Sequence, residues 1–354
     1  MLARRHYLGI AWPAGSIGDS PIEMFQGVQV VKPTQASSAQ RLVATVAWLY
    51  HTRGFRQSEI AQRLNISQSR VSRMLEQAVD LGIVRTVVLL PTGEQSALEQ
   101  ELESAYGLRE AHVYDLGNVV DESELVRELG QLLALHLQSE TLGVEVIGFT
   151  SWSRTLQEMV RTLQPLPQSG VRYVVEMLGD LGPPALQHWS AQNTQLLAHM
   201  TGAEPMFLRV PGVMPNRWVK QTLLEYDGHA RSALQMLDRL DFALTGVGAI
   251  GAVTPLLAGD NFFTEEQINH ARKLGVVGEI NLRYIAENGE PVHPDFDDLV
   301  VGATLEQLRH AARRLAVAGG PSKYQAIRAA LVGGWVNVVF TDSVTARWLV
   351  DNRG

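Results

Sequence analysis

The stretch RQSEIAQRLNISQSRVSRML, from Arg56 to Leu75, decides how the first part of the chain folds. Its apolar residues recur at helical spacing, which predicts one helix over residues 57–64 and a second over residues 68–81. Asn65-Ile66-Ser67 lies between them and predicts a tight turn, because Asn readily adopts the left-handed conformation that a turn needs. Two helices joined by a three-residue turn are typical of a helix-turn-helix.

The second helix of this pair has the residue types that read DNA. Ala61 is small where the two helices would cross, and Ser67 is placed to cap a helix whose first amides favour a phosphate. Arg, Gln and Ser side chains hydrogen-bond base edges and phosphates. The residues predicted to contact DNA are Arg56, Arg63, Ser67, Gln68, Ser69, Arg70, Ser72 and Arg73. The alternative interpretation is a plain helical hairpin with a solvated basic face.

Flanking segments extend the helix-turn-helix. A helix is predicted over residues 37–50, and Trp48 is expected to pack in the helical core of this module. The segment IVRTVVLL, which ends before Pro91, alternates like a strand. Three helices and a strand are typical of a winged helix. Because one such module makes few contacts, we expect a homo-dimer or homo-tetramer on a paired operator site.

Charge is distributed unevenly along the chain. Its net charge is −7, yet residues 41–90 contain seven Arg against three acids, a balance of +4 that leaves −11 elsewhere. This asymmetry indicates an anion-binding module on an acidic body. The absence of Cys excludes disulfides and favours the cytoplasm. No apolar run is long enough to predict a membrane span.

The remaining sequence predicts an α/β domain with a mainly parallel sheet. Strand patterns alternate with helical segments of about ten residues, as crossover units require. VRYVVEML, residues 171–178, is apolar almost throughout, as in a sheet covered on both faces. Arg309, Arg313 and Arg314 are expected on a basic helical face. The predicted organisation is a tail or early start codon over residues 1–36, a DNA-binding domain over 37–90 and an effector domain over 91–354.

Two loops after predicted strands have the composition of a polar-ligand site. One comprises Thr150, Ser151, Trp152, Ser153, Arg154 and Thr155, whose hydroxyls and amides at a helix N-terminus can hold a phosphate or sugar oxygens. The other runs from Gly319 through Gly320 to Lys323, where glycines permit close backbone approach and the Lys offers a cation. The alternatives are an ordinary capped loop and a turn with a surface Lys.

One glycine-rich segment resembles a nucleotide-binding motif. Gly246-Val-Gly248-Ala-Ile-Gly251 matches the dinucleotide fingerprint, but Pro255 interrupts the helix that should follow, and no strand ending in an acid comes about 20 residues later. The loop, including Gly248, is therefore predicted to line a sugar site instead. No tight His spacing predicts a metal, so we expect neither cofactor nor metal.

Several segments resemble the SorC family of bacterial transcriptional regulators. They are IGFTSWSRTLQEM (147–159), VVEMLGDLG (174–182), DFALTGVGAIG (241–251), GVVGEINLRYIAENG (275–289) and RLAVAGGPSKYQAIRAALVGGWVNVVFTDSVTA (314–346). The resemblance covers about residues 38–352. It implies an effector domain like sugar-phosphate isomerases, with the ligand at the carboxyl ends of the strands. It adds Gly179 and Glu279 to the candidate effector residues. Ser153-Arg154 departs from the Gly and variable residue that are frequent in the family, and Glu279 replaces a frequent Asp.

Together these observations predict a DNA-binding regulator of a carbohydrate-catabolism operon whose operator affinity responds to a sugar or sugar phosphate. The alternative is a sugar-phosphate isomerase or deaminase with an attached helical module. Turnover would need an acid and a base on either side of the substrate. Glu279 and Asp260 are candidates, but no His partner is apparent, so a non-enzyme is predicted.

Overall fold

A computed structural model describes residues 38–80, 83–84, 96–117, 121–140, 142–166, 169–251, 254–257 and 259–353. The chain divides into two compact units, Met1–Val88 and Leu89–Gly354. The predicted tail over residues 1–36 and most of the predicted strand over residues 83–90 lie outside the described residues.

The first unit contains the predicted helical pair. It comprises α1 (Ser38–Ala47), which continues as a π-helical turn (Trp48–Thr52), α2 (Gln57–Leu64) and α3 (Gln68–Asp80). Val46, Ile60 and Val71 are fully buried between the helices. Asn65 ends α2 with φ 52°, as the turn required. The prediction that Trp48 packs in the core is wrong, since 48% of its surface is exposed. Arg53 instead stacks over its ring at 4.9 Å.

The second unit alternates strands and helices. Its elements before the small sheet are α4 (Ala97–Tyr106), β1 (Glu110–Tyr114), α5 (Glu122–Ser139), β2 (Val146–Phe149), α6 (Arg154–Thr162), β3 (Tyr173–Glu176), α7 (Pro184–Thr201), β4 (Glu204–Met206), α8 (Arg217–Tyr226), α9 (Gly228–Met236) and β5 (Phe242–Thr245). Next come β6 (Gly248–Ala249), α10 (Thr254–Leu257), α11 (Glu265–Lys273), β7 (Val276–Ile280), β8 (Arg283–Ala286), β9 (Pro291–Val292), α12 (Leu305–His310), β10 (Arg313–Val317), α13 (Tyr324–Val332), β11 (Val338–Asp342) and α14 (Ser343–Asp351).

Seven strands form one parallel sheet in the order β1-β11-β10-β5-β2-β3-β4. Both faces are covered, and Ile147, Phe242 and Phe340 belong to one continuous apolar core. From β2 the chain proceeds towards one edge of the sheet, whereas from β5 it proceeds towards the other. Ligands of such sheets bind outside the carboxyl ends of the strands where the direction reverses. The crevice between β2 and β5 is therefore the expected place for a site.

Two local features shape that crevice. Gly130 in α5 lets α6 approach closely, because a Cβ at this position would lie 2.6 Å from the Thr155 carbonyl oxygen. The segment from Val276 to Ala286 is a hairpin, β7–β8, within a small antiparallel sheet. Its two-residue turn has φ 53° at Asn281 and 61° at Leu282. A turn of this type needs φ > 0 at both positions, and for Leu that conformation is strained.

The basic helical face expected around residue 310 is absent from this part of the structure. Arg309 lies in α12, but Arg313 and Arg314 lie in strand β10. Arg313 is largely buried and bridges Glu140 at 2.7 Å and Glu110 at 2.9 Å. The difference arises from tertiary contacts, because Arg313 at the start of β10 pairs with two acids that are distant in sequence. Glu110 belongs to β1, and Glu140 follows the end of α5. Among the described helices, none has the length and apolarity to cross a bilayer.

Candidate functional site

A cavity of the second unit lies at the switch point of the parallel sheet. Its volume is about 510 Å³. Loops after β2, β3, β5 and β10 line it, together with the β7–β8 hairpin and the N-terminal end of α5. A volume of this size is typical of small-molecule sites in proteins.

Hydroxyl and amide groups lie at its base. The Thr150 hydroxyl donates to Asn281 Oδ1 at 2.7 Å, which joins the β2 loop to the hairpin turn. Thr150 and Asn281 are both buried against the sheet yet reach the cavity. Ser153 caps α6, and its hydroxyl accepts the Leu156 N–H at 3.4 Å. The backbone of Gly246 comes so close that a Cβ there would lie 2.9 Å from Ser153 Oγ.

Glu279 forms one wall of the cavity and fits closely against the loop over residues 246–251. It pairs with Gly248 across β6–β7, and a Cβ at Gly248 would overlap Glu279 Oε1. Its other oxygen accepts the Leu282 N–H at 2.6 Å. Burial raises the pKa of Glu279, although the Leu282 hydrogen bond and the charge of Lys323 act in the opposite direction. A carboxyl group with a raised pKa at a cavity wall suits hydrogen bonding to ligand hydroxyls.

Charged side chains, those of Glu122, Arg154 and Lys323, also line the cavity. Arg154 Nη2 lies 3.3 Å from Glu122 Oε1, and both side chains are largely exposed. Burial lowers the pKa of Lys323, with Glu122 and Glu279 raising it and Arg154 lowering it further. Helices α5, α6 and α13 begin at or beside these residues. Three helix N-termini and two cations therefore meet here beside the Glu122 carboxylate, which is paired with Arg154. The helix N-termini and the Lys323 ammonium group favour an anion.

Apolar side chains form the remaining wall. Trp152 donates its indole N–H to the Gly179 carbonyl at 3.1 Å, which fixes the ring at the edge of the cavity. Further apolar lining comes from the β3–α7 loop, α7, the chain between β5 and α11, α11 itself and the β7–β8 hairpin. These residues are Leu178, Leu181, Leu186, Trp189, Val247, Ala249, Ile250, Leu256, Phe262, Ile268, Leu282 and Tyr284. Trp189 leaves 55% of its surface exposed.

Eight of the eleven predicted effector residues line this cavity. They are Thr150, Trp152, Ser153, Arg154, Thr155, Gly248, Glu279 and Lys323. Ser151, Gly179 and Gly320 lie behind it. The Ser151 hydroxyl accepts that of Ser190 at 2.5 Å, and Gly179 packs against Gly212. Gly320 donates its N–H to Thr345 Oγ1 at 2.9 Å.

Sequence reasoning missed three polar residues of the cavity. Glu122, Gln157 and Asn281 line it. Gln157 and Asn281 lie in segments that resemble the SorC family, but none of the three was among the candidate effector residues. The signal for Asn281 was present, since an Asn within an alternating apolar segment indicates a turn. The apolar wall had no comparable signal, because its residues come from elements far apart in sequence.

The predicted DNA-contacting residues form an exposed face in the first unit. Side chains of Arg56, Arg63, Ser67, Gln68, Ser69, Arg70 and Arg73 are exposed, and Ser72 is half-buried. The Ser67 hydroxyl accepts the Arg70 N–H at 3.3 Å, as expected of a cap. Arg73 Nε donates to the Ser69 carbonyl at 3.4 Å. The basic side of α3 therefore does not pack into the core of the first unit. The side of α3 that does pack into this core carries Val71, Met74 and Ala78.

Among the described residues, no group of three or more His, Asp or Glu side chains is arranged to hold a metal ion.

Comparisons with known proteins agree with this architecture. A family described as "Putative sugar-binding domain" matches residues 91–351. The chain is 32% identical to the deoxyribonucleoside regulator of Bacillus subtilis, over 88% of this chain and 98% of that protein. It is 28% identical to the sorbitol operon regulator of Klebsiella pneumoniae, with the same coverage. The crystal structure of full-length SorC from K. pneumoniae matches with a TM-score of 0.67, over 88% of this chain and 98% of that one. The chain belongs to the SorC family of sugar-binding transcriptional regulators.

Proposed function

We propose that this protein regulates a carbohydrate-catabolism operon and that a sugar or sugar phosphate in the cavity controls its affinity for operator DNA. The observation that supports this most directly is the polar and cationic cavity at the switch point of the parallel sheet, in a chain that also has an exposed basic helix-turn-helix. The relatives named for a sorbitol operon and for deoxyribonucleosides support a carbohydrate effector.

Residues 37–90 are assigned to operator binding. In this proposal Arg70 and Arg73 of α3 would read bases in the major groove with Gln68 and Ser69, since Arg pairs bidentately with guanine. Ser72 completes that face. Arg56, Arg63 and the N-terminus of α3 at Ser67 are assigned to the phosphate backbone.

Residues 91–354 are assigned to the effector. Thr150, Asn281 and Glu279 would bind sugar hydroxyls, and Arg154 and Lys323 would bind an anionic group. Ser151, Gly179 and Gly320 would act from behind by holding the loops in position. We expect the regulator to act in the cytoplasm as a homo-dimer or homo-tetramer, because two helix-turn-helix units on paired half-sites multiply the few contacts of one.

We infer that the protein is not an enzyme. Proton transfer across a sugar intermediate needs a paired acid and base in contact with the substrate. Glu279 lines the cavity, whereas Asp260 is exposed and does not, and no His is among the lining residues. Assaying sugar phosphates for turnover in the purified protein tests this inference, and measurable isomerisation or deamination would contradict it.

Operator binding can be measured by fluorescence anisotropy with DNA from upstream of the protein's own operon. Arg70→Ala should weaken binding by about 1–3 kcal/mol if Arg70 pairs with a base. Arg347→Ala is the matched control, because it removes the same charge from an exposed position of α14 in the other unit. Equal losses in the two variants would show that only overall charge matters and would remove Arg70 from the base-reading set.

Effector control can be measured with the same DNA in the presence of sugars and sugar phosphates. Lys323→Ala should abolish the response to the effector and leave basal operator binding intact. Lys273→Ala, at an exposed position of α11, is the control for loss of a Lys charge. An unchanged response in Lys323→Ala would exclude Lys323 from effector binding.

A further inference from the structure

The cavity has two chemically different halves. Polar and charged groups come from the β2–α6 loop, the start of α5, the residues before α13 and the β7–β8 hairpin. The other half is apolar, and its main side chains are Leu181, Leu186, Trp189, Ile250, Leu256 and Phe262. Trp152 stands at the border with its indole fixed by the hydrogen bond to Gly179.

Side chains of the apolar half pack against a buried hydrophobic cluster and are not isolated from one another. Ile250, Leu256 and Phe262 are partly buried and pack against a cluster that includes Leu178, Leu181 and Phe263. They are therefore held in place before any ligand arrives. Trp189 of α7 also lines the cavity and leaves 55% of its surface exposed. An exposed apolar patch that continues a core typically marks a binding surface.

A sugar or sugar phosphate alone does not match this half. A sugar ring can stack one face on one aromatic ring, but the hydroxyls at its edges need hydrogen-bond partners. The six side chains of the apolar half offer one polar atom among them, the indole N–H of Trp189. A ligand without an apolar group would leave this apolar surface in contact with water. The favourable free energy of burying that surface would then not contribute to binding.

Resting on the proposed effector function of this cavity, we propose that the effector is amphipathic: a hydroxylated or phosphorylated carbohydrate that carries an apolar, ring-sized substituent. Its polar end contacts Thr150, Glu279 and Lys323. Its apolar substituent lies between Trp189, Leu186 and Phe262. Trp152 covers the junction of the two parts.

Sugar-free probes test the two halves separately. Isothermal titration calorimetry on the full chain would compare inorganic phosphate with phenyl phosphate, which adds one aromatic ring to the same anion. Phenyl phosphate should bind about tenfold more tightly or better, because the ring removes apolar surface from water. Lys323→Met should weaken binding of both probes, which places them in this cavity.

Variants of the apolar half make the test specific. Trp189→Gln and Leu186→Gln, at an exposed and a half-buried position, should remove most of the advantage of phenyl phosphate and leave the affinity for inorganic phosphate unchanged. Trp218→Gln, at a 71% exposed Trp on α8 outside the cavity, should change neither affinity.

The outcomes separate this inference from the proposed function. If inorganic phosphate and phenyl phosphate bind equally well, the apolar substituent is excluded while an anionic sugar effector stands. If neither probe binds and operator affinity also fails to respond to any sugar or sugar phosphate, both the inference and the proposed effector control are overturned.

Discussion

Replacing Glu140 by Gln should lower the free energy of unfolding of this protein by about 3 kcal/mol at pH 7. Glu140 follows the end of α5 and accepts hydrogen bonds from Arg313 at 2.7 and 3.2 Å. His136 Nε2 lies 2.9 Å from Glu140 Oε1. Burial by itself would raise the pKa of Glu140, but the contacts with His136 and Arg313 outweigh burial and lower the pKa to about 2.

The magnitude follows from that pKa. The usual value is 4.5 and the folded value is about 2, and each unit of difference is worth about 1.4 kcal/mol. A depressed pKa stabilises the fold above the unfolded pKa and loses this contribution as the pH falls through the folded one. Because Gln resembles the protonated carboxyl group, the variant shows at every pH the stability that the wild type would have without the charge.

Urea denaturation followed by circular dichroism would measure the difference between wild type and Glu140→Gln. The difference should be about 3 kcal/mol above pH 6 and should fall to about 1.4 kcal/mol near pH 3. Glu145→Gln is the control, since its ion pair with Arg172 is 3.6 Å long and both side chains are more than 60% exposed. That variant should change stability by less than about 0.5 kcal/mol. A difference for Glu140→Gln below about 1 kcal/mol, or one that does not depend on pH, would refute the reasoning.

Further predictions concern the loops and the helix-turn-helix. Gly248→Ala should abolish the effector response in the anisotropy assay and spare basal operator binding, because a Cβ would displace Glu279 Oε1; a normal response would contradict the fit described for this wall. Gly130→Ala should destabilise the protein by about 1–3 kcal/mol in urea, because α6 would have to move. Gly228→Ala in α9 has space and should be neutral, so equal effects would argue against close α5–α6 packing. Ser67→Ala should destabilise the first unit by about 1 kcal/mol through loss of the α3 cap. Thermal unfolding would show this, and an unchanged midpoint would mean that the cap is dispensable.

Local patterns were sufficient for much of the secondary structure. The helical pair α2–α3 lies where the turn residues and the apolar spacing predicted it. These signals depend on neighbours within one or two turns, so the sequence records them directly. The same holds for residues 150–155, which form a loop after β2 and the first residues of α6, with Ser153 as the cap.

Strand order was beyond the reach of local patterns. Alternating strands and helices indicate a parallel sheet, but they do not say that β2 lies beside β5 or that β1 lies beside β11. Arg313 illustrates the consequence. Its sequence neighbours suggested a solvated helix, whereas the sheet places it in a strand between Glu110 and Glu140.

The sequence by itself therefore determined a basic helix-turn-helix followed by a parallel α/β domain, and the two loops whose polar groups were singled out. Only the tertiary structure decided that Glu122, Trp189 and Asn281 meet these loops around one cavity with a polar and an apolar half. The physical reason is that a cavity depends on contacts between residues distant in the chain. Such contacts are set by the order in which strands pair, and periodicity within each strand is the same for many such orders.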